Sequence, residues 1–273
     1  MLKQRVITAV VLVAIVLGAL FGLARDAFAL VAAIFFLAAA WEWSAWIGKA
    51  TTAGRIGWLA VVAALMWGME HWQLAHWLTG APLFWLCALV LVVRFPKGTA
   101  AWGNAPVMAV LGALVLVPAW AAVVHVKANG ALGLEGPWAL LFILLWVWAA
   151  DTGAYFAGKR FGQRKLAPSV SPGKTIEGLL GGLLLALLVV VAVYFLAPVQ
   201  AELVPLLIAA LVTVMASVLG DLFESMVKRY RGVKDSGTML PGHGGMLDRI
   251  DSMTAALPVA LALFSWMQIP GGF

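Results

Sequence analysis

Between Ser225 and Asp251 the chain reads SMVKRYRGVKDSGTMLPGHGGMLDRID. Lys228, Arg229, Arg231 and Lys234 come first, then Gly242, Gly244 and Gly245 around His243, then Asp248 and Asp251 one helical turn apart. Each group has a chemistry. The cations, with Arg249, suit phosphate oxygens. The glycines let backbone approach a ligand, and N–H groups opening the next helix can face an anion. Carboxylates spaced by one turn share a helix face and can hold a hard divalent cation such as Mg²⁺. Taken singly these features also read as a membrane-surface basic patch, a turn and helix caps. Their conjunction is what a nucleotide or pyrophosphate site requires. His243 is a proton donor, a phosphate ligand or a turn residue, and spacing does not choose among these.

Other carboxylates stand where apolar runs end. Asp221 and Glu224 share a helix face and can hold a cation, while Glu224 and Lys228 are also spaced for an ordinary i to i+4 ion pair. Asp151 closes the run 140–150, where charge near hydrocarbon is costly unless water or a function is at hand. Beyond it, Gly173-Lys174-Thr175 suggests a P-loop but fails the test. The required earlier glycine is Pro168, and no buried strand precedes it. Ser171, Lys174 and Thr175, with Glu177 following, either bind a phosphate or cap a helix.

The elements that must position these residues are membrane helices. With 64% hydrophobic and 11% charged residues and a mean hydropathy of +1.00, the chain has too little charge for a water-soluble surface. About 20 apolar residues cross roughly 30 Å of hydrocarbon. Nine stretches qualify: 6–23, 27–47, 56–69, 81–93, 105–124, 137–156, 179–197, 203–220 and 254–267, three of them short. Nine spans put every Lys and Arg except Arg25 and Lys127 on the side of the N-terminus, so that side is cytoplasmic. The net charge of +6 therefore reflects membrane orientation, and nucleic acid is not an expected partner. The expected fold is an all-α polytopic membrane bundle. Residues 1–130 form an N-terminal transmembrane scaffold, and 131–273 a catalytic region with cytoplasmic loops 157–178 and 221–253. The single cysteine, Cys87, excludes an intramolecular disulfide. His71, His76 and His125 fall on the face away from the charged loops. A transporter would spread intramembrane charge over both faces, whereas here the acidic and basic residues gather at one.

The segment from Ser225 to Asp251 resembles the signature of bacterial phosphatidate cytidylyltransferases, also called CDP-diacylglycerol synthases. The resemblance rests on Ser225, Lys228-Arg229, Lys234-Asp235, Gly237, Leu240-Pro241, His243-Gly244-Gly245, Asp248-Arg249 and Asp251. Upstream, Asp151, Tyr155, Ser171-Pro172, Lys174-Thr175 and Glu177-Gly178 look like a second block of that family. The resemblance implies transfer of CMP from CTP to phosphatidic acid, giving CDP-diacylglycerol and pyrophosphate with Mg²⁺ and room for a second cation. It assigns metal binding to Asp221, Asp248, Glu224 and Asp251, and catalytic roles to Asp221, Asp248, Lys228, Arg229 and His243. Substrate contacts fall to Ser171, Lys174, Thr175, Lys234, Gly244, Gly245 and Arg249. The expected setting is the bacterial cytoplasmic membrane, with the site facing the cytoplasm, membrane lipid around it and a second copy of the chain as a candidate partner. A transporter, and a different enzyme handling CDP-lipids, are the rival readings.

Overall fold

The structure, a computed structural model, describes residues 2–48, 51–72, 74–240, 242 and 244–272. His243 and Pro241 lie outside the described residues, as does Lys49. Each apolar stretch becomes a helix: α1 (Leu2–Gly22), α2 (Arg25–Trp46), α3 (Thr52–His71) and, after a 3₁₀ stretch Leu74–Gly80, α4 (Ala81–Arg94). A single turn, α5 (Thr99–Trp102), leads into α6 (Ala105–Asn129) and α7 (Gly136–Phe161). A strand pair, β1 (Lys165–Ala167) and β2 (Ser171–Thr175), precedes α8 (Ile176–Leu196), α9 (Leu203–Tyr230) and α10 (Leu247–Trp266).

Among the described residues, seven helices are long and apolar enough to cross a membrane: α2, α3, α6, α7, α8, α9, and α4 taken from His76. The apolar part of α1 is the shorter Val10–Gly22. α10 departs from the pattern for a physical reason. Every residue from Thr254 to Phe264 is buried, because α2, α4, α6, α7 and α9 all pack against it. A helix enclosed by other helices meets no lipid, so it accommodates Ser252, Thr254 and Pro258 in its length.

Cross-contacts between loops sort the helix ends into two sets. At one end Arg25 pairs with Glu70, and Leu132 bonds to both Pro270 (2.6 Å) and Gln200 (2.7 Å). At the other, the Tyr230 hydroxyl donates to the Gly103 carbonyl at 3.2 Å, and Glu42 meets Met246 and Leu247. The described site candidates of the sequence reading, from Asp151 and the hairpin to Asp221, Asp248 and Asp251, lie at this second end.

The hairpin is an element that periodicity did not reveal. β1 and β2 run antiparallel, with Lys165 opposite Thr175 and Ala167 opposite Ser171. Thr175 ends the strand and caps α8, its hydroxyl accepting from Gly178 N at 3.1 Å. Glu177 turns back to accept from Gln163 N, Arg164 N and the Arg164 side chain at 2.9–3.1 Å, fixing where the hairpin leaves α7.

Small residues bring α7 and α8 into backbone contact. A Cβ on Gly153 would stand 2.5 Å from the Gly181 carbonyl, and one on Gly182 would stand 2.5 Å from that of Ala150. Where lipid tails give no hydrophobic drive for helix pairing, close backbone packing supplies the dispersion energy instead.

Candidate active site

The site grows from the ends of α9 and α10. Gly220 lets the helices touch, since a Cβ there would lie 2.5 Å from the Asp251 carbonyl. This brings Asp221, Glu224 and Lys228 of α9 beside Asp248 and Asp251 in the opening turns of α10. Lys228 is the link. Its Nζ lies 2.7 Å from Asp248 Oδ1 and 3.0 Å from Glu224 Oε1, and all three side chains are less than a tenth exposed. The i to i+4 pairing of Glu224 and Lys228 is therefore real, but it forms one arm of a buried triad rather than a surface salt bridge. The second lysine comes from the hairpin: Lys174 Nζ lies 2.6 Å from Asp221 Oδ2. Ser225 also donates to Asp221 Oδ1, at 3.2 Å.

Asp248 is held more tightly than its sequence neighbours indicate. Its Oδ2 accepts from Gly245 N (2.8 Å) and Ser236 N (2.9 Å), with the Ser236 hydroxyl also at 2.9 Å. This corrects one expectation. The N–H groups around the start of α10 do face an anion, but Gly245 N serves Asp248, while Met246 N and Leu247 N serve Glu42. The glycines follow the same logic. A Cβ on Gly244, where φ is +82°, would lie 2.8 Å from Asp248 Oδ2, and one on Gly245 would run into Ser236 and Glu42. Both positions are small so that the loop can close over carboxylates of this chain. Glu42 is the residue that sequence reasoning missed. It is a charged residue only 4% exposed, the one charge of α2 beyond its opening Arg25 and Asp26, and that isolation was the available signal.

The remaining candidates divide. Arg229 spends Nε on the Val170 carbonyl (3.2 Å) and Nη1 on that of Val233 (3.1 Å), tying the hairpin tip to the loop after α9. Lys234 and Arg249 are exposed at the rim. Ser171 is half-buried at the tip end of the hairpin. Asp251 Oδ1 accepts from Ser252 N at 2.7 Å.

Beside this cluster, α7, α8, α9 and the hairpin enclose a cleft of about 420 Å³. Asp151, Lys159, Lys174, Thr175 and Asp221 line it with charged and polar groups, while Leu179, Leu183, Val214 and Val218 give it apolar walls. Thr175 thus both caps α8 and borders the cleft. At its edge Lys159 Nζ lies 5.7 Å from the Tyr155 ring centroid. Asp151 is exposed to the cleft and within electrostatic reach of Lys174 and Asp221.

The donor set fits a divalent cation in charge, although not as a ready cage. Among the described residues no three acidic, His or Cys side chains converge as metal ligands, because Lys228 and Lys174 stand among the carboxylates. Against those two ammonium groups are Asp151, Asp221, Glu224, Asp248 and Asp251. Glu224 Oε2 is buried without a hydrogen-bond donor, and the Lys228 contact to Oε1 is a charge contact rather than an aligned hydrogen bond. A buried carboxylate in this position pays a desolvation cost that either a nearby cation or a proton relieves.

Comparison with known proteins then decides the family. Residues 3–267 match the family described as "Cytidylyltransferase family". The chain belongs to that family. A phosphatidate cytidylyltransferase of Pseudomonas aeruginosa is 47% identical over 271 residues, covering 96% of this chain and 97% of that protein. The Haemophilus influenzae phosphatidate cytidylyltransferase is 40% identical, covering 94% and 96%. A Staphylococcus aureus relative of the same name is 48% identical over 125 residues, 46% of this chain. Family membership makes the chain a multi-pass membrane nucleotidyltransferase, consistent with a polar cluster at one end of an apolar bundle.

Proposed function

We propose that this chain transfers the cytidylyl group of CTP to phosphatidic acid, forming CDP-diacylglycerol and pyrophosphate. The observation that carries the reading is the cleft's two-sided character. Its charged end, with Lys174 and Asp221, adjoins the Lys228–Asp248 cluster, and its walls of α8 and α9 are apolar. A lipid with two acyl chains needs that second property, and a soluble triphosphate needs the first.

In this reading the phosphatidate headgroup meets Lys174 at the charged end while its chains follow the apolar wall. The triphosphate lies against the α9–α10 side, with Lys228 and the rim cations Lys234 and Arg249 countering its charge. A phosphate oxygen of the lipid attacks the α-phosphorus in line. One P–O bond forms, the bond to the bridging α–β oxygen breaks, and pyrophosphate leaves with that oxygen's electrons. The attacking oxygen is already ionised near neutral pH, so the protein's work is to align two anions and neutralise them, without a strong base. Asp221 and Asp248, with Glu224 and Asp251 behind them, would hold Mg²⁺, which when bound supplies charge neutralisation to the phosphates.

The site faces the cytoplasm of a bacterium. Support comes from the basic residues, which concentrate at the site's end of the bundle as positive-inside orientation demands. The test is purified protein in detergent with radiolabelled CTP, phosphatidate and Mg²⁺. A labelled, chloroform-soluble product dependent on all three is expected, and label remaining wholly in water would refute the reading.

A further inference from the structure

α10 begins without a cap of its own. Met246 stands at the N-cap position in helical conformation and provides no side-chain bond, so the first N–H groups of the helix need outside acceptors. They find them on another helix. Glu42 of α2 accepts from Met246 N through Oε1 (3.0 Å) and from Leu247 N through Oε2 (2.9 Å). Its Oε2 also lies 2.9 Å from the Ser236 hydroxyl.

That hydroxyl stands equally 2.9 Å from Asp248 Oδ2 and has one proton to give. Asp248 Oδ2 already has two backbone donors, Ser236 N and Gly245 N, so the proton is worth more on Glu42. The loop closes around this arrangement, because a Cβ on either Gly237 or Gly245 would collide with the Glu42 carboxylate. Ser236 and residues 245–247 thus rest on Glu42 from one side and on Asp248 from the other.

We propose that Glu42 is a positioning residue for the cytidylyl transfer, acting through the opening of α10 and Ser236 to fix the Asp248 carboxylate beside Lys228. The proposal rests on the function given above. The chemistry demands a carboxylate. Both oxygens receive N–H donors, so glutamine would turn an amide NH₂ against one of them, and it would remove the negative charge from a helix N-terminus.

The test compares Glu42→Gln, which keeps shape, with Glu42→Asp, which keeps charge, in the purified full chain. Gln is expected to lower kcat about thirtyfold or more while KM for phosphatidate stays within about twofold, since that cleft does not touch Glu42. Asp is expected to recover part of the loss. A role in packing alone predicts the reverse order, with the isosteric Gln the milder change, and that order would overturn the proposal. Hydrogen–deuterium exchange gives a readout independent of turnover. Amides 245–248 should exchange about tenfold faster in Glu42→Gln than in the unaltered chain, and unchanged exchange also overturns it. Should the Gln protein fail to fold, Gly237→Ala retains Glu42 and displaces it with one methyl, whose three nearest neighbours would all be Glu42 side-chain atoms. Loss of kcat with KM for phosphatidate retained is expected there, and near-normal turnover counts against Glu42. An unaltered chain that makes no lipid product refutes the function instead, leaving the exchange experiment to judge Glu42.

Discussion

Replacing Lys228 by methionine removes the one ammonium that two buried carboxylates share. The geometry sets the scale. Nζ is 2.7 Å from Asp248 Oδ1 and 3.0 Å from Glu224 Oε1, and the side chains are 9%, 8% and 4% exposed. Breaking a buried pair by deleting one partner costs about 3–5 kcal/mol, because a charge is left desolvated without compensation. Here the loss falls unevenly. Asp248 keeps backbone donors from Ser236 and Gly245, whereas Glu224 has no hydrogen-bond donor to fall back on. With about 2–4 °C of midpoint per kcal/mol at this chain size, Lys228→Met should lower the thermal midpoint by about 10 °C. Adding Glu224→Gln removes the stranded charge and should restore at least half of that drop. Activity should stay lost, since Asp248 still lacks its ammonium. Tryptophan fluorescence during thermal unfolding in detergent reads the stability, and lipid product formation reads the activity. A Lys228→Met protein melting within about 3 °C of the unaltered chain would refute the argument, as would a double variant less stable than the single.

Asp248→Asn should abolish lipid labelling while the protein still elutes as a single species on gel filtration, and near-normal turnover would remove Asp248 from the site. Lys174→Met leaves Asp221 without its partner at 2.6 Å and should raise KM for phosphatidate about tenfold, with KM for CTP changed less; equal effects on both would argue against a lipid headgroup at Lys174. Gly153→Ala drives a methyl toward the Gly181 carbonyl and should cost about 1–3 kcal/mol by separating α7 from α8, measured as a lowered thermal midpoint.

Much of the bundle was legible because lipid imposes a simple rule: a spanning segment must satisfy its own backbone and show apolar side chains outward. That rule found the stretches that became helices, including α10. It did not show that α10 is enclosed, since apolar content alone does not separate a lipid contact from a helix contact. The hairpin at 165–175 was hidden for the opposite reason. Its strands are too short for period-two alternation to register, and what fixes them is local hydrogen bonding by Thr175 and Glu177. In the site, residue types and spacing singled out Asp221 with Glu224, and Asp248 with Asp251, while the family resemblance joined them with Lys228 and Lys174 into one site. They did not reveal which lysine pairs with which carboxylate. Asp221 is paired from the hairpin rather than from its own helix. Arg229 has the right charge for a phosphate, but its neighbours are carbonyls, a fact that depends wholly on where the hairpin tip lands.

The glycines of the signature carry the larger lesson. Small residues around His243 suggest backbone thinned for a visiting ligand, yet Gly237, Gly244 and Gly245 are small because carboxylates of the chain itself occupy the space. An anion site can be built from such parts only if those internal carboxylates are first satisfied, because an unpaired one would compete with a phosphate for the same N–H groups. Glu42 and Asp248 take up the donors at the start of α10, and the lysines take up Asp221, Glu224 and Asp248. An incoming triphosphate then meets Lys228 already held between carboxylates, together with the positive rim and any cation the remaining carboxylate charge attracts. The buried network therefore acts on the substrate chiefly by deciding where Asp221 and Asp248 stand, and its most remote member, on α2, lies nearly two hundred residues away in sequence from the loop it holds.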